Sequence, residues 1–123
     1  MVNASRPKEL GPLAILYPTC NDFSETAVES LVSQTGVDAT LFLLDDSIDP
    51  RFQARVDSWA MGKSGAVEVV RRSDREGFKA GNLNHWLAKR GSRGEFHYIL
   101  LVDADEVIPP DFSRRLLDVL EAS

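Results

Sequence analysis

The stretch Tyr98-Ile99-Leu100-Leu101-Val102-Asp103-Ala104-Asp105 joins a short apolar run to two aspartates separated by one residue. Such a run suits a strand better than a helix, so residues 98–102 are predicted to form a buried strand. In an extended backbone the two aspartates would share a face, and a turn after the strand would let both approach one ion. Spacing alone leaves two interpretations open: a divalent-metal site, or a turn with one capping and one solvated aspartate.

Three earlier apolar runs have the same character and are separated by segments with helical spacing. The runs cover residues 13–17, 39–44 and 66–70, and the helical spacing lies within 27–32, 52–60, 83–87 and 116–120. Strands that alternate with helices through short loops indicate right-handed crossovers. We therefore predict an α/β fold, Rossmann-like, with a mostly parallel sheet and helices on both faces. Residues 1–12 are predicted to be a flexible N-terminal tail, and residues 13–123 one domain.

Composition restricts the partners of the chain. Its 123 residues carry a net charge of -5, which argues against a nucleic-acid partner and against binding to an anionic membrane. The single cysteine, Cys20, cannot form an intrachain disulfide and favours a reducing compartment. The apolar runs are far shorter than a membrane span. The chain is therefore expected to be a soluble segment on the cytoplasmic side, without membrane contact of its own.

Polar clusters follow three of the predicted strands, at residues 18–22, 45–47 and 103–106. In open parallel sheets, ligands bind outside the carboxyl ends of the strands. Asp45 and Asp46 could accept hydrogen bonds from ribose hydroxyls or from a base N–H. The alternative is that Asp46, Ser47 or Asp49 caps the helix that follows.

A fourth polar segment, residues 75–84, places Lys79 and two glycines at the opening of a helix. Backbone N–H groups and the helix dipole favour an anion there, so Lys79 is a candidate contact for a diphosphate. The segment lacks the glycine and lysine order of a Walker A loop. Without other information, an ordinary capped surface helix is the simpler interpretation.

Together and in this order, residues 16–22, 45–47, 79–84 and 103–105 resemble the family 2 glycosyltransferases, and especially processive members such as cellulose synthase. The resemblance implies a GT-A fold, of which this chain would be the N-terminal half. It also implies a UDP-sugar donor bound through Mg²⁺ or Mn²⁺, and a glycan or lipid acceptor. Cys20 and Ser47 depart from the commonest pattern, which often has an aromatic residue and a glycine there.

The resemblance also implies roles for individual residues. Pro18 and Thr19 would line the base pocket, and Asp46 or Asp45 would contact the uridine. Lys79 would approach the diphosphate, while Asp103 and Asp105 would form the metal-linked motif. Asn21 and Asn82 belong to the matching segments and complete the expected donor-binding set.

Catalysis is expected to need residues outside this chain. The family's acidic general base, and the Gln-x-x-Arg-Trp motif of its processive members, would lie beyond Ser123. A general base must reach the acceptor hydroxyl, and no matched motif supplies one. We therefore expect a fragment of a longer enzyme, which could be membrane-associated. The fragment would bind donor but transfer sugar poorly alone, with no catalytic residue of its own.

Three alternatives are weaker or less specific. A haloacid-dehalogenase-type phosphatase would use Asp103 as its nucleophile, but it needs that strand near the start of the domain. A sugar-nucleotide pyrophosphorylase would carry a glycine-rich, arginine-containing loop where residues 18–22 have neither. A non-catalytic nucleotide-binding or interaction domain would keep the sheet and lack only the acceptor half.

Overall fold

The computed structural model describes residues 9–63 and 65–122. Strands and helices alternate along the chain, which confirms the predicted α/β class. In order they are β1 (Leu10–Thr19), α1 (Glu25–Val32), β2 (Val37–Asp45), α2 (Pro50–Ala60), β3 (Val67–Val70), α3 (Phe78–Lys89), β4 (Tyr98–Leu101) and α4 (Phe112–Glu121).

The four strands form one sheet in the order β3-β2-β1-β4. Every neighbouring pair is parallel, with β1 between β2 and β4. Residues 13–19 of β1 are all buried, as expected for the central strand of a sheet covered on both faces. The predicted Rossmann-like, parallel arrangement is therefore confirmed.

Alternate residues of β1 pack into two separate cores. Leu13, Ile15 and Tyr17 face the core that contains buried residues of α1, α2 and α4. Ala14 and Leu16 face the opposite core, which contains α3 through its buried Trp86. Helices thus cover both faces as predicted. The tryptophan fixes α3 against the sheet, and this places the first turn of α3 beside the carboxyl ends of the strands.

The first strand begins earlier than the sequence predicts. Leu10 already belongs to β1, and its N–H donates to the carbonyl of Gly36 at 3.2 Å. Pro12 has no N–H, but its carbonyl accepts from His97 N–H at 2.9 Å and so still joins the sheet. Residues 10–12 are therefore strand rather than tail. Residues 1–8 of the predicted tail lie outside the described residues.

Polar side chains cap the starts of two helices. Ser24 Oγ accepts from Ala27 N–H at 3.2 Å at the start of α1. The carboxylate of Asp49 accepts from Arg51 N–H at 2.9 Å and caps α2. Of the three candidates for this cap, Asp46, Ser47 and Asp49, the cap is therefore Asp49. In the part of the chain that the structure describes, no helix combines the length and the apolar character needed to cross a membrane.

Candidate functional site

A cleft of about 560 Å³ opens at the carboxyl ends of β1, β2 and β4, beside the first turn of α3. This is the edge at which the sequence predicts a ligand. All predicted site residues except Asn21 and Asp45 line it. The lining residues are Pro18, Thr19, Cys20, Asp22, Asp46, Arg75, Phe78, Lys79, Asn82, Asp103, Ala104 and Asp105.

The β4 side of the cleft carries opposite charges in contact. Lys79 Nζ donates to Asp103 Oδ1 at 2.6 Å, and both side chains are more than half exposed. The carboxylate of Glu106 accepts from the N–H of Asp103 at 2.7 Å. Glu106 therefore stabilises the turn that presents Asp103 and Asp105.

Tyr17 supports the same turn from inside the protein. Its buried hydroxyl donates to the carbonyl of Ala104 at 2.6 Å and accepts from the N–H of Ser24 at 3.0 Å. Burial raises the pKa of Tyr17 to about 12, and the nearby charges of Asp22 and Asp105 act in the same direction. The turn after β4 is thus tied to the start of α1 through one neutral phenol.

Asp46 lines the cleft but is already engaged by an arginine. Its two carboxylate oxygens accept from Arg72 Nε at 3.1 Å and Nη2 at 2.8 Å, and less than a tenth of either side chain is exposed. Arg72 also donates to the carbonyls of Glu76 at 2.7 Å and Phe78 at 2.9 Å. Hydrogen bonding to Asp46 raises the pKa of Arg72. Asp46 therefore positions the loop that precedes α3.

Two predicted donor contacts, Asp45 and Asn21, have other partners in the structure. The side chain of Asp45 is fully buried and accepts from Arg71 at 2.9 Å and from the N–H of Ser47 at 3.0 Å. Asn21 Oδ1 accepts from two backbone N–H groups of the β2–α2 loop, each at 3.0 Å. Neither side chain lines the cleft, and both stabilise loops that border it, so a donor contact of Asn21 or Asp45 stays a prediction. Of the two alternatives for the uridine contact, only Asp46 faces the cleft.

The end of β1 forms the middle wall of the cleft. Thr19 Oγ1 donates to Asp22 Oδ1 at 2.7 Å, and the same oxygen accepts from the N–H of Cys20 at 2.8 Å. On the α3 side, the buried amide of Asn82 donates to the carbonyl of Leu44 at 2.8 Å. Thr19 and Asn82 therefore line the cleft, and their hydrogen bonds also hold its walls in place.

Arg75 and Phe78 line the cleft although the sequence patterns predict no role for them. The guanidinium of Arg75 donates to Cys20 Sγ at 2.9 Å and lies 5.6 Å from the centre of the Phe78 ring. Arg75 Nε is buried and has no hydrogen-bond partner among the described residues. The sequence does show a cation, Arg75, four residues before Lys79. Helical spacing does not reveal, however, that the loop containing Arg75 folds back toward β1.

Gly81 allows that loop to lie against α3. A Cβ atom at this position would lie 1.8 Å from the carbonyl oxygen of Glu76. The N–H of Gly81 donates to the carbonyl of Gly77 at 3.0 Å, where the chain adopts a φ of 75°. Glycine at residue 81 is therefore required by a close backbone approach rather than by φ.

Comparison with known proteins agrees with this geometry. Residues 15–123 match the model of the family described as Glycosyl transferase family 2. The chain belongs to this family. Its membership decides against the phosphatase and pyrophosphorylase alternatives.

Named relatives of this family 2 chain are much longer than it is. It is 29% identical over 124 residues to Glucans biosynthesis glucosyltransferase H of Ralstonia nicotianae, covering 89% of this chain and 14% of that protein. It is 37% identical over 82 residues to Glucomannan 4-beta-mannosyltransferase 1 of Oryza sativa subsp. japonica, covering 63% of this chain and 15% of that protein. The chain thus spans about a seventh of these relatives.

Solved structures show the same fold. S. aureus TarS aligns with a TM-score of 0.71 and 19% identity over 90% of this chain and 32% of the other. A crystal structure of TarS in complex with UDP gives the same values. The family 2 chain therefore has the α/β fold of GT-A glycosyltransferases, as the resemblance implied.

Two carboxylates of the cleft could serve as ligands of a divalent ion whose other coordination positions a bound phosphate would fill. Among residues 9–63 and 65–122, no group of three or more His, Cys, Asp or Glu side chains is arranged to hold a metal. Asp103 and Asp105 nevertheless bring two hard oxygen donors to one cleft wall. Mg²⁺ and Mn²⁺ commonly take one or two carboxylates and fill their remaining positions with phosphate oxygens and water.

Proposed function

We propose that this family 2 chain is the donor-binding part of a glycosyltransferase and binds a UDP-sugar together with Mg²⁺ or Mn²⁺. One observation carries the proposal: Arg75, Lys79, Asp103 and Asp105 share a cleft at the carboxyl ends of parallel strands. The TarS structure in complex with UDP supports uridine diphosphate as the nucleotide. The sugar would pass to an acceptor, a glycan or a lipid, bound outside the described residues.

The two signs of charge in the cleft have complementary roles in this proposal. Asp103 and Asp105 would hold the cation, and Lys79 would contact anionic oxygens of the diphosphate. A divalent ion at this place would offset the charge of the diphosphate as the bond to the sugar breaks. Pro18 and Thr19, at the end of β1, would then line the base pocket.

We also propose that the chain binds donor without efficient transfer. Two of the acidic side chains that line the cleft already have protein partners, since Asp22 accepts from Thr19 and Cys20, and Asp46 pairs with Arg72. The remaining carboxylates are assigned to the metal: Asp105, and Asp103 once its exposed ion pair with Lys79 has opened. None of these carboxylates is left to deprotonate an acceptor hydroxyl, so a base from outside the described residues is needed.

Calorimetric titration of UDP in the presence of Mn²⁺ tests the proposal. We expect the unchanged chain to bind, and Asp103→Asn/Asp105→Asn to lose at least about tenfold in affinity, a difference of about 1.4 kcal/mol. Asp38→Asn, which changes an exposed aspartate of β2 outside the cleft, is the matched control and should bind normally. No binding by the unchanged chain, or equal binding by the double variant, contradicts the proposal.

A further inference from the structure

Phe78 combines two features that a phenylalanine rarely has. It is 69% exposed, so burial contributes little to its stability. Its φ of 51° lies in the left-handed region, where a bulky side chain is strained. Neither packing nor backbone preference therefore explains an aromatic residue at this position, and strain of this kind tends to occur at functional sites.

The surrounding loop holds Phe78 in this conformation. Its carbonyl accepts from Arg72 Nη2 at 2.9 Å, and Arg72 is fixed by the carboxylate of Asp46. Its N–H donates to the carbonyl of Arg75 at 3.0 Å. The backbone contacts that fix the loop before α3 therefore also place Phe78 at the cleft.

The cleft has two chemically different ends. Lys79 and Asp103, next to β4, form a charged end suited to a diphosphate and a cation. Phe78 lies at the other end of the cleft, where the guanidinium of Arg75 packs against its ring. The same guanidinium contacts Cys20, directly after β1. A planar aromatic base is the part of a nucleotide that matches a ring and a guanidinium.

We infer that the Phe78 ring is the surface on which the nucleobase of the donor stacks. This inference rests on the proposed function and deepens it, because it assigns the base to the Phe78 end of the cleft and the diphosphate to the Lys79 end. The guanidinium of Arg75 lies over the ring, 5.6 Å from its centre. Loss of one base-stacking aromatic weakens nucleotide binding by about tenfold.

The test compares UDP with pyrophosphate, which lacks the base, by calorimetry in Mn²⁺. Phe78→Leu should weaken UDP binding by about tenfold and leave pyrophosphate binding within about twofold, while Phe78→Tyr should bind both normally. In Mg²⁺, the uracil H5 and H6 protons should shift upfield on binding to the unchanged chain and not to Phe78→Leu. Phe112→Leu, a partly exposed phenylalanine in α4, is the matched control.

A second variant separates stacking from folding. Phe78→Gly removes the ring and also relieves the positive φ, so its melting temperature should equal or exceed that of the unchanged chain while UDP binding falls. Binding of UDP without the upfield shift, unchanged binding by Phe78→Leu, or equal weakening of UDP and pyrophosphate overturns the inference and leaves the proposed function standing. Failure of the unchanged chain to bind UDP overturns the proposed function itself.

Discussion

Lys79 Nζ lies 2.6 Å from Asp103 Oδ1, so an ammonium from α3 contacts the carboxylate that would hold the metal. The two side chains are 53% and 64% exposed, and an ion pair this exposed contributes at most about 1 kcal/mol. The pair is therefore weak enough to open. A cation on Asp103 would replace the ammonium, and Lys79 would then turn to the diphosphate.

Lys79→Met should affect the metal and the nucleotide in opposite directions. Without nucleotide, Mn²⁺ affinity should rise by about two- to fivefold, because the competing ammonium is gone. Affinity for UDP in saturating Mn²⁺ should fall, because a cation near the diphosphate is lost. Electron paramagnetic resonance of free Mn²⁺ and calorimetry measure the two effects. Lys89→Met, at the other end of α3, is the control; a fall in both affinities argues against competition.

Asp46→Asn should destabilise the fold strongly. It removes the counter-charge of Arg72, whose side chain is only 7% exposed, and an unpaired charge of this kind costs about 3 kcal/mol. Asp57→Asn breaks the more exposed ion pair with Arg71 and should cost less than about 1 kcal/mol. Urea denaturation measures both free energies of unfolding. Equal losses in the two variants contradict the positioning role of Asp46.

Tyr17→Phe should lower stability at neutral pH by about 1–3 kcal/mol, because Ser24 N–H and the Ala104 carbonyl lose a buried partner. The phenol ionises near 12 in the fold and near 10.0 unfolded, so its raised pKa stabilises the fold fully below pH 10. This contribution is lost as pH rises through about 12, because the unfolded chain releases the proton first.

Denaturation in urea from neutral to strongly alkaline pH checks this prediction. The unchanged chain should lose stability above about pH 10, and Tyr17→Phe should lose less over the same range. Tyr98→Phe, which changes the partly buried tyrosine of β4 and removes its exposed hydrogen bond to Glu121, is the control at neutral pH and should cost less there than Tyr17→Phe. An alkaline loss of the same size in Tyr17→Phe would exclude the buried phenol as its source.

Gly81→Ala should destabilise the protein although the residue is in a helix. Alanine in a helix interior is ordinarily about 1 kcal/mol more favourable than glycine. Here the new Cβ would meet the Glu76 carbonyl at 1.8 Å, so the loop or the first turn of α3 must move. Both the melting temperature and the affinity for UDP should fall. Asn84→Ala, at an exposed position of the same helix, should raise or keep the melting temperature.

The sheet and its order of elements were largely predictable, because buried parallel strands are near-continuous apolar runs. The start of β1 was not, since Pro12 lacks the N–H that a ladder uses and resembles a strand boundary. Its carbonyl, which accepts from His97 N–H, and the N–H of Leu10, which donates to the Gly36 carbonyl, keep this segment in the sheet. A pattern of side chains does not show which backbone N–H and carbonyl groups form the hydrogen bonds of a sheet.

The location of the candidate site was predictable, but the contacts of its individual side chains were not. The sequence placed Asp45 and Asp46 together at the end of β2. It did not show that each aspartate forms an ion pair with its own arginine, because the arginines follow the neighbouring strand. Arg71 and Arg72 follow β3, so both pairings depend on β2 and β3 being adjacent. Arg75 reaches the cleft for a similar reason, since a loop must fold back toward Cys20.

Paramagnetic relaxation by Mn²⁺ tests most directly whether a cation and UDP share the cleft at Asp103 and Asp105. With UDP present, amide signals of residues 79–82 and 103–106 of the ¹⁵N-labelled chain should broaden first, together with the phosphorus signals of UDP. Asp103→Asn/Asp105→Asn should abolish both effects. Broadening centred elsewhere in the chain, or phosphorus signals that Mn²⁺ broadens equally with the double variant, would contradict a shared site for the cation and the nucleotide.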